Sequence, residues 1–456
     1  MSQNFKKSKN KKQVKNKGKI HKDKDDEEIE SFSDEDIADK IEGNDSSEED
    51  LETPQEKRLR IAKEYISQIE QEEDHIEDDK TRFSVISNKL TEEMLEKSGK
   101  LQRYIANKYT LPTKDNIILK RGHKLTPTCA IISSDVKYIF SSSKDGIIIK
   151  WDLESMKRLG IIRPGNKKSD PVQNKKHKNQ IIALALSFDN KFLASGGLDK
   201  IIHIWDPLSL EHIHSFKGHK NTISGLVFRH KSHQLFSASF DRFVKIWDLD
   251  LMSHVETLFG HQEAITDIDS FISERCVTSG GRDSAAHLWK IVEETQLVYR
   301  FPGCSVDRIR YINEDHFMTG TDEGTVSIWN IGKKKPLVTF NHRQNVYVIK
   351  DNDVLQNPFN KVSNLNEPWI TALGVVYNSD LIAIGSSDSF ISFWRCGPNY
   401  KTVSLLFSIP MPGFVNSLEF SRDGKYLVAT VGMEHRLGRW KVLKNCRNKI
   451  CLIKFF

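Results

Sequence analysis

The feature that most constrains this chain is a tryptophan that returns at a near-constant interval. KDGIIIKWD ends at Asp152, LDKIIHIWD at Asp206, FDRFVKIWD at Asp248 and RDSAAHLWK at Lys290, and the weaker copies DEGTVSIWN, SDSFISFWR and MEHRLGRWK follow. Trp151, Trp205, Trp247, Trp289, Trp329, Trp394 and Trp440 form the series, and Trp205, Trp247, Trp289 and Trp329 stand 42, 42 and 40 residues apart. Each copy has one internal order: a Gly-His or His, an alternating strand such as ISGLVF, a turn, a second strand such as QLFSAS, a tight turn, and the strand that carries Trp. A unit of this size cannot bury its apolar face alone, so seven copies stacked in a ring satisfy one another.

A period of about 40 to 45 residues built this way predicts an all-β fold, a seven-bladed WD40 β-propeller, over residues 113–456. The outer strand of the last blade can come from NIILK near Asn116 or from KICLIKF near Lys449. Six residues before each Trp stands a carboxylate, and ten before it, in the first four copies, a serine with a histidine ahead of it. The resulting sets are His123, Ser141, Asp145 and Trp151; His177, Ser195, Asp199 and Trp205; His219, Ser237, Asp241 and Trp247; and His261, Ser279, Asp283 and Trp289. A motif repeated four times in one chain, each time tied to a tryptophan, is a structural hydrogen-bond network and not a catalytic triad. The set erodes later, with Cys304 at the histidine position of blade five and Ile384 at the serine position of blade six. Two long connections, Met156 to Lys176 and Gly332 to Glu367, join the outer strand of one blade to the first strand of the next.

Charge is distributed unevenly ahead of the ring. Ten lysines face one acidic residue before Asp25, and fifteen carboxylates face Lys40 alone from Asp25 to Glu52. Residues 1–52 therefore read as a disordered basic then acidic tail, because they hold too little apolar surface to offset chain entropy. The lysine block Lys6 to Lys24 reads as a nuclear or nucleolar address or a nucleic-acid patch. Residues 53–112 read as a helical extension of two short amphipathic helices. The first has Thr53 as N-cap, Pro54 at the first helical position and Glu56 closing a capping box, with Leu59, Ala62, Ile66 and Ile69 on one face. The second carries Leu95, Leu101, Tyr104 and Ile105. Both stripes are expected to meet partners; packing on the chain's own propeller is the alternative. The sequence has no run of eighteen apolar residues, so no membrane span is expected. Six scattered cysteines without CxxC spacing fit reduced thiols, and no cofactor or metal site is expected.

The segments ETPQEKRLRIAKEYI and GKLQRYIANKY, the first repeat SSSKDGIIIKWD and above all the ending EHRLGRWKVLKNCRNKICLI resemble the WD40 family associated with the U3 small nucleolar RNA, over roughly residues 52–456. The resemblance implies a non-enzymatic, nucleolar subunit of the U3 ribonucleoprotein and the small-subunit processome, acting in pre-rRNA processing. It also implies U3 RNA, a small kink-turn-binding protein and the box C/D core proteins as partners. The alternative is a WD40 adaptor that reads an acidic or modified peptide in another nuclear complex. The candidate RNA contacts are Lys144, Lys200, Arg242 and Arg282 beside the network aspartates, Lys178 and Lys220 beside the entrance histidines, and Arg436 and Arg439, expected on the Trp440 strand. Lys124 and the Arg163 to Lys176 connection are expected to add charge on the same face.

Overall fold

The computed structural model describes residues 54–72, 79–165, 175–301, 303–342, 369–444 and 446–456; the basic and acidic tail and the cap residue Thr53 lie outside them. Two compact units divide at Arg82 and Phe83. The first holds α1 (Pro54–Glu72), whose start agrees with the sequence signals, and in which Arg60 and Glu64 pair at 3.2 Å. Helix α2 (Asp79–Lys97) crosses into the second unit.

The second unit consists of seven four-stranded antiparallel sheets. Blades one to six use consecutive strands: β2 to β5 (Pro127–Ile132, Tyr138–Ser143, Ile148–Asp152, Arg158–Ile162), then β6 to β9 from Ile181 to Lys217, β10 to β13 from Ile223 to Phe259, β14 to β17 from Asp267 to Arg300, β18 to β21 from Val306 to Asn341, and β22 to β25 from Ile370 to Pro410. Blade seven joins the two ends of the domain. Its order is β26 (Phe414–Phe420), β27 (Tyr426–Gly432), β28 (Lys449–Lys454) and then β1 (Ile117–Lys120), with Ile117 opposite Ile453 and Lys120 opposite Ile450. Both candidate segments are thus used: KICLIK is the third strand and IILK the outer one. The two outer strands β5 and β21 lie within the connections read as long, so those connections begin later, at Arg163 and His342.

Seven apolar clusters fill the wedges between adjacent blades. One of them packs Ile139, Ile149 and Trp151 of blade one against Val428, Ile450 and Leu452 of blade seven, which closes the ring. The approach is close enough that a Cβ on Gly320 or Gly385 would fall 2.6 Å from Ile370 or Val415 of the next blade.

The predicted network is present. Trp151, Trp205 and Trp247 donate Nε1–H to Ser141, Ser195 and Ser237 at 2.8, 2.7 and 2.8 Å, and the Nε2 atoms of His123, His177 and His219 lie 2.8, 2.6 and 2.7 Å from the same oxygens. His219 Nδ1 lies 2.9 Å from Asp241. Burial works against the Asp241 charge, but His219 and the N–H groups of Lys220 and Phe243 outweigh it and hold the carboxyl down to about 2. In blade one His123 stays 3.8 Å from Asp145, which takes the Ser143 hydroxyl instead.

Blade four corrects the sequence reading. Its acceptor is Thr278, which receives Trp289 Nε1–H at 2.9 Å and lies 2.6 Å from His261; Ser279 pairs with Thr266. The reason is one extra residue in the hairpin: the last pair is Ser279 opposite Ala286, against Ala238 opposite Val244 in blade three. Erosion follows as expected. Trp329 keeps Thr319 at 3.1 Å, while Trp394 Nε1, facing Ile384, has no hydrogen-bond partner among the described residues.

The second amphipathic segment is not one helix. Lys100 N–H bonds Leu95 O at 2.8 Å and Gly99 N–H bonds Glu96 O at 3.0 Å, a Schellman ending with Gly99 at φ +68°. Past it, residues 99–109 run along the turns between first and second strands. Glu314 N–H donates to Gly99 O, the Asp380 carboxylate accepts N–H from Ile105 and Ala106, and Tyr109 O–H donates to Gly424 O at 2.7 Å. Leu101, Ala106 and Tyr109 are buried while Tyr104 is exposed, so this stretch packs on its own propeller and corrects the expectation that it meets a partner.

Ser237→Ala and Thr278→Val each remove the acceptor of a buried indole N–H and should each lower unfolding free energy by about 2 kcal/mol in urea titrations. A chain starting at Lys114 keeps β1 but loses Leu101, Ala106 and Tyr109; it should be less stable than one starting at Phe83 by about 3 kcal/mol in the same assay.

Candidate nucleic-acid interface

The entrance loops and the second hairpins share one face, because the histidines and the aspartates they bond lie on these two sets of loops. Backbone links confirm the contact: Lys220 N–H donates to Asp241 at 2.8 Å and Lys124 N–H to Asp145 at 3.2 Å. On this face Lys124, Lys200, Lys220, Arg242 and Arg282 are exposed, and Lys178 is half-buried. Arg242 also donates to Gln262 O at 3.3 Å. Lys200 and Arg242 hold left-handed backbone, φ 65° and 74°, at the turn position that is Gly146 in blade one and Gly324 in blade five. A side chain there costs about 1 kcal/mol relative to glycine, so cations occupy a place where backbone geometry alone favours glycine. Between blades one and two a cleft of about 470 Å³ is lined in part by Arg163, Lys175, Lys176 and His212. Lys167 and Lys168 lie outside the described residues.

Three candidates behave differently from the sequence reading. Residues 433–444 and 446–448 form a strap that leaves the sheet, and Trp440 is on no blade strand. Ile453 takes its place, opposite Leu427 as Trp247 is opposite Leu235. The spacing misled because the insertion brought a Trp to nearly the expected distance. Lys144 is buried; its ammonium lies 3.3 Å from Glu434 and donates to Gly438 O at 2.9 Å, and burial holds its pKa below the usual lysine range. Arg436 is also buried, donating to Ser224 O at 3.3 Å and Thr266 O at 2.9 Å. Neither Lys144 nor Arg436 can reach a phosphate without leaving these bonds. Arg439 is exposed, with Nε 2.8 Å from Glu434.

Arg436 belongs to a charged network on the first strands around the propeller axis. Arg308 donates to Thr371 O at 2.7 Å and to Asn416 O, and lies 3.4 Å from Asp267, which also pairs with Arg310 at 2.9 Å. Burial raises the Asp267 carboxyl, but Arg310, Arg308 and Arg436 outweigh it. Asp269, which accepts Tyr311 N–H at 2.7 Å, is pushed up by burial to about 6 despite Arg310. Sequence reasoning missed this network, although charged residues two apart in apolar strands, Asp267 with Asp269 and Arg308 with Arg310, put both members on one strand face and were available as a signal. Two His–Asp–His sets, His177, Asp199 and His203 and then His261, Asp283 and His287, bring metal-ligand atoms together. In both, the entrance histidine already uses Nδ1 on the aspartate and Nε2 on Ser195 or Thr278.

The WD domain, G-beta repeat family matches residues 116–152, 170–206, 210–248 and 252–290, which hold the four entrance histidines and network aspartates. U3 small nucleolar RNA-interacting protein 2 of Homo sapiens is 40% identical over 403 residues, 88% of this chain and 82% of its own length. The chain belongs to the U3 small nucleolar RNA-associated WD40 family. The solved structure of U3-55K is 41% identical with a TM-score of 0.68, covering 75% of this chain and 100% of that one. Ribosomal RNA-processing protein 9 of Saccharomyces cerevisiae is 24% identical over 550 residues, 94% of this chain and 95% of its own. Within this family member, the segment EHRLGRWK lies in the strap over the axis.

The raised Asp269 carboxyl gives a signed expectation. Its folded pKa, about 6, lies above the ordinary 3.8, so folding favours the protonated form. That contribution is present below about pH 4 and is lost as pH rises to about 6. Wild type should therefore lose roughly 3 kcal/mol relative to Asp269→Asn between pH 4 and pH 7 in urea unfolding. A constant difference between the two proteins would show that Asp269 titrates normally.

Proposed function

We propose that this chain is a non-enzymatic RNA- and protein-binding subunit of the U3 small nucleolar ribonucleoprotein, acting in pre-rRNA processing in the nucleolus. The observation that carries the reading is the arc of exposed cations, Lys200, Lys220, Arg242 and Arg282, on one face of blades two to four. Their side chains suit backbone contact with RNA, and two of them occupy left-handed positions. The names of the relatives supply the RNA and the process. The same reading takes the kink-turn-binding protein and the box C/D core proteins as neighbours in the particle. It also assigns the Leu59 and Ala62 face of α1, exposed within its own unit, to a partner; the Ile66 and Ile69 side chains lie outside the described residues. The His–Ser–Asp sets support a structural role, because their atoms are spent on buried tryptophans. A peptide adaptor is less well supported, since Arg308 and Arg436 occupy the axis where a channel ligand would sit.

Reversing Lys200, Arg242 and Arg282 to Glu should weaken binding to the U3 RNA and lower the salt slope of log K by roughly one unit per lost phosphate contact. Filter binding across a salt series checks this. A folded triple variant with unchanged affinity and slope would remove these blades as the RNA surface.

A further inference from the structure

One tryptophan of the repeat series stands outside the ring. The other six are nearly fully buried, whereas Trp440 is 61% exposed. Its indole stacks on Trp369, with centroids 5.6 Å apart and planes at 25°, and Trp369 stacks in turn on buried His435 at 4.1 Å and 28°. The support is fixed at several points. Trp369 donates Nε1–H to Asp307, Arg436 ties the strap to blades three and four, and Lys144 binds both Glu434 and Gly438 O. Gly438 makes room for the ring: a Cβ there would fall 1.7 Å from Trp440 Cζ3. The chain thus holds an indole in a set orientation against Trp369, His435 and Gly438, with most of the residue open to water.

The strap that carries Trp440 is cationic. Arg439 is exposed beside it, Lys444 and Arg447 are exposed farther along the strap, and Asn448 Nδ2 bonds the carbonyl of Lys124, an exposed residue of the cation-bearing face. Of the nearby carboxylates, Glu434 is shared between Lys144 and Arg439, and Asp307 accepts Trp369 Nε1–H. A cationic ligand such as a methylated lysine would be repelled, and it needs a box of rings set at steep angles around it; here Trp440, Trp369 and His435 pack on one another with planes 25 to 39° apart. A flat π surface rimmed by arginine and lysine matches an unpaired base with its flanking phosphates.

We propose that Trp440 is a stacking platform for one unpaired nucleobase of bound RNA, with Arg439 and the strap lysines beside the adjoining phosphates. This rests on the RNA-binding reading above and adds to it a base contact that the arc of blades two to four does not supply.

The test uses the full chain and two labelled RNA hairpins, one with an unpaired internal loop and one with that loop closed by complementary pairing, followed by anisotropy across a salt series. Trp440→Ala should bind the looped hairpin about tenfold more weakly with an unchanged salt slope, and Trp440→Phe should stay within about threefold of wild type. Gly438→Val, which displaces the indole, should behave like Trp440→Ala. Looped RNA should also shield wild-type tryptophan fluorescence from acrylamide, a readout that needs no variant. Equal affinity of Trp440→Ala and wild type for the looped hairpin, an equal loss on both hairpins, or unchanged quenching with RNA bound would overturn the platform while leaving the cation arc standing. Loss of a protein partner with RNA affinity intact would also overturn it. Wild type that binds neither hairpin would remove the RNA reading itself, and the platform with it.

Discussion

The ring depends on four residues, Ile117 to Lys120, pairing with a strand that ends the chain more than three hundred positions later. A propeller has no hub of its own; each sheet is stable because its neighbours cover both faces, and an unclosed last blade would leave two apolar wedges open. The pairing of β1 with β28 completes blade seven, and the cluster of Trp151 with Val428, Ile450 and Leu452 seats that blade on blade one. The segment ahead of β1 adds to the closure, since Tyr109 packs on Phe455 and Phe456 at 4.9 and 5.3 Å.

This closure also shapes the face that carries the exposed cations. Because β28 supplies the third strand of blade seven, residues 433–444 and 446–448 are released from strand duty and cross the axis. There Arg436 satisfies backbone carbonyls of the adjacent blades three and four, while Arg308 does the same for blades six and seven. A buried guanidinium is costly unless its donors are matched, and the carbonyls together with Asp267 provide the match. The axis is therefore a structural core made of charge, and the strap that closes it presents Trp440 on its outer side.

The blades carry two tasks with different residues. The His, Ser or Thr, Asp and Trp network ties the hairpins of the first four blades to their entrance loops, and the cations of blades two to four stand on the rim of the same hairpins. A network residue cannot be exchanged without opening a buried hydrogen bond, whereas a rim residue can vary in charge with little effect on the fold. Place in the hairpin does not decide which way a cation turns: Lys144 and Arg282 both precede their aspartates, but Lys144 is drawn inside by Glu434 and Gly438 O, while Arg282 points to solvent as Lys200 and Arg242 do.

The repeat period by itself determined the seven blades, the tryptophan strands of the first six and three of the four intact networks, because each is set by contacts within some forty residues of one another. The start of α1 at Pro54 was legible for the same reason. One inserted residue was enough to move the blade-four acceptor from Ser279 to Thr278, since spacing counted back from Trp289 cannot see hairpin length. The end of α2 was marked by Gly99 and was open to reading from sequence, yet the stripe of Leu101 and Ile105 was followed past it. Only the tertiary structure decided the rest: which strand closes blade seven, that Arg436 and Lys144 turn inward, and that Trp440 turns outward onto Trp369. Those outcomes rest on partners 71 to 336 residues apart, brought together by ring closure, and no local pattern encodes which of two similar tryptophans will be inside.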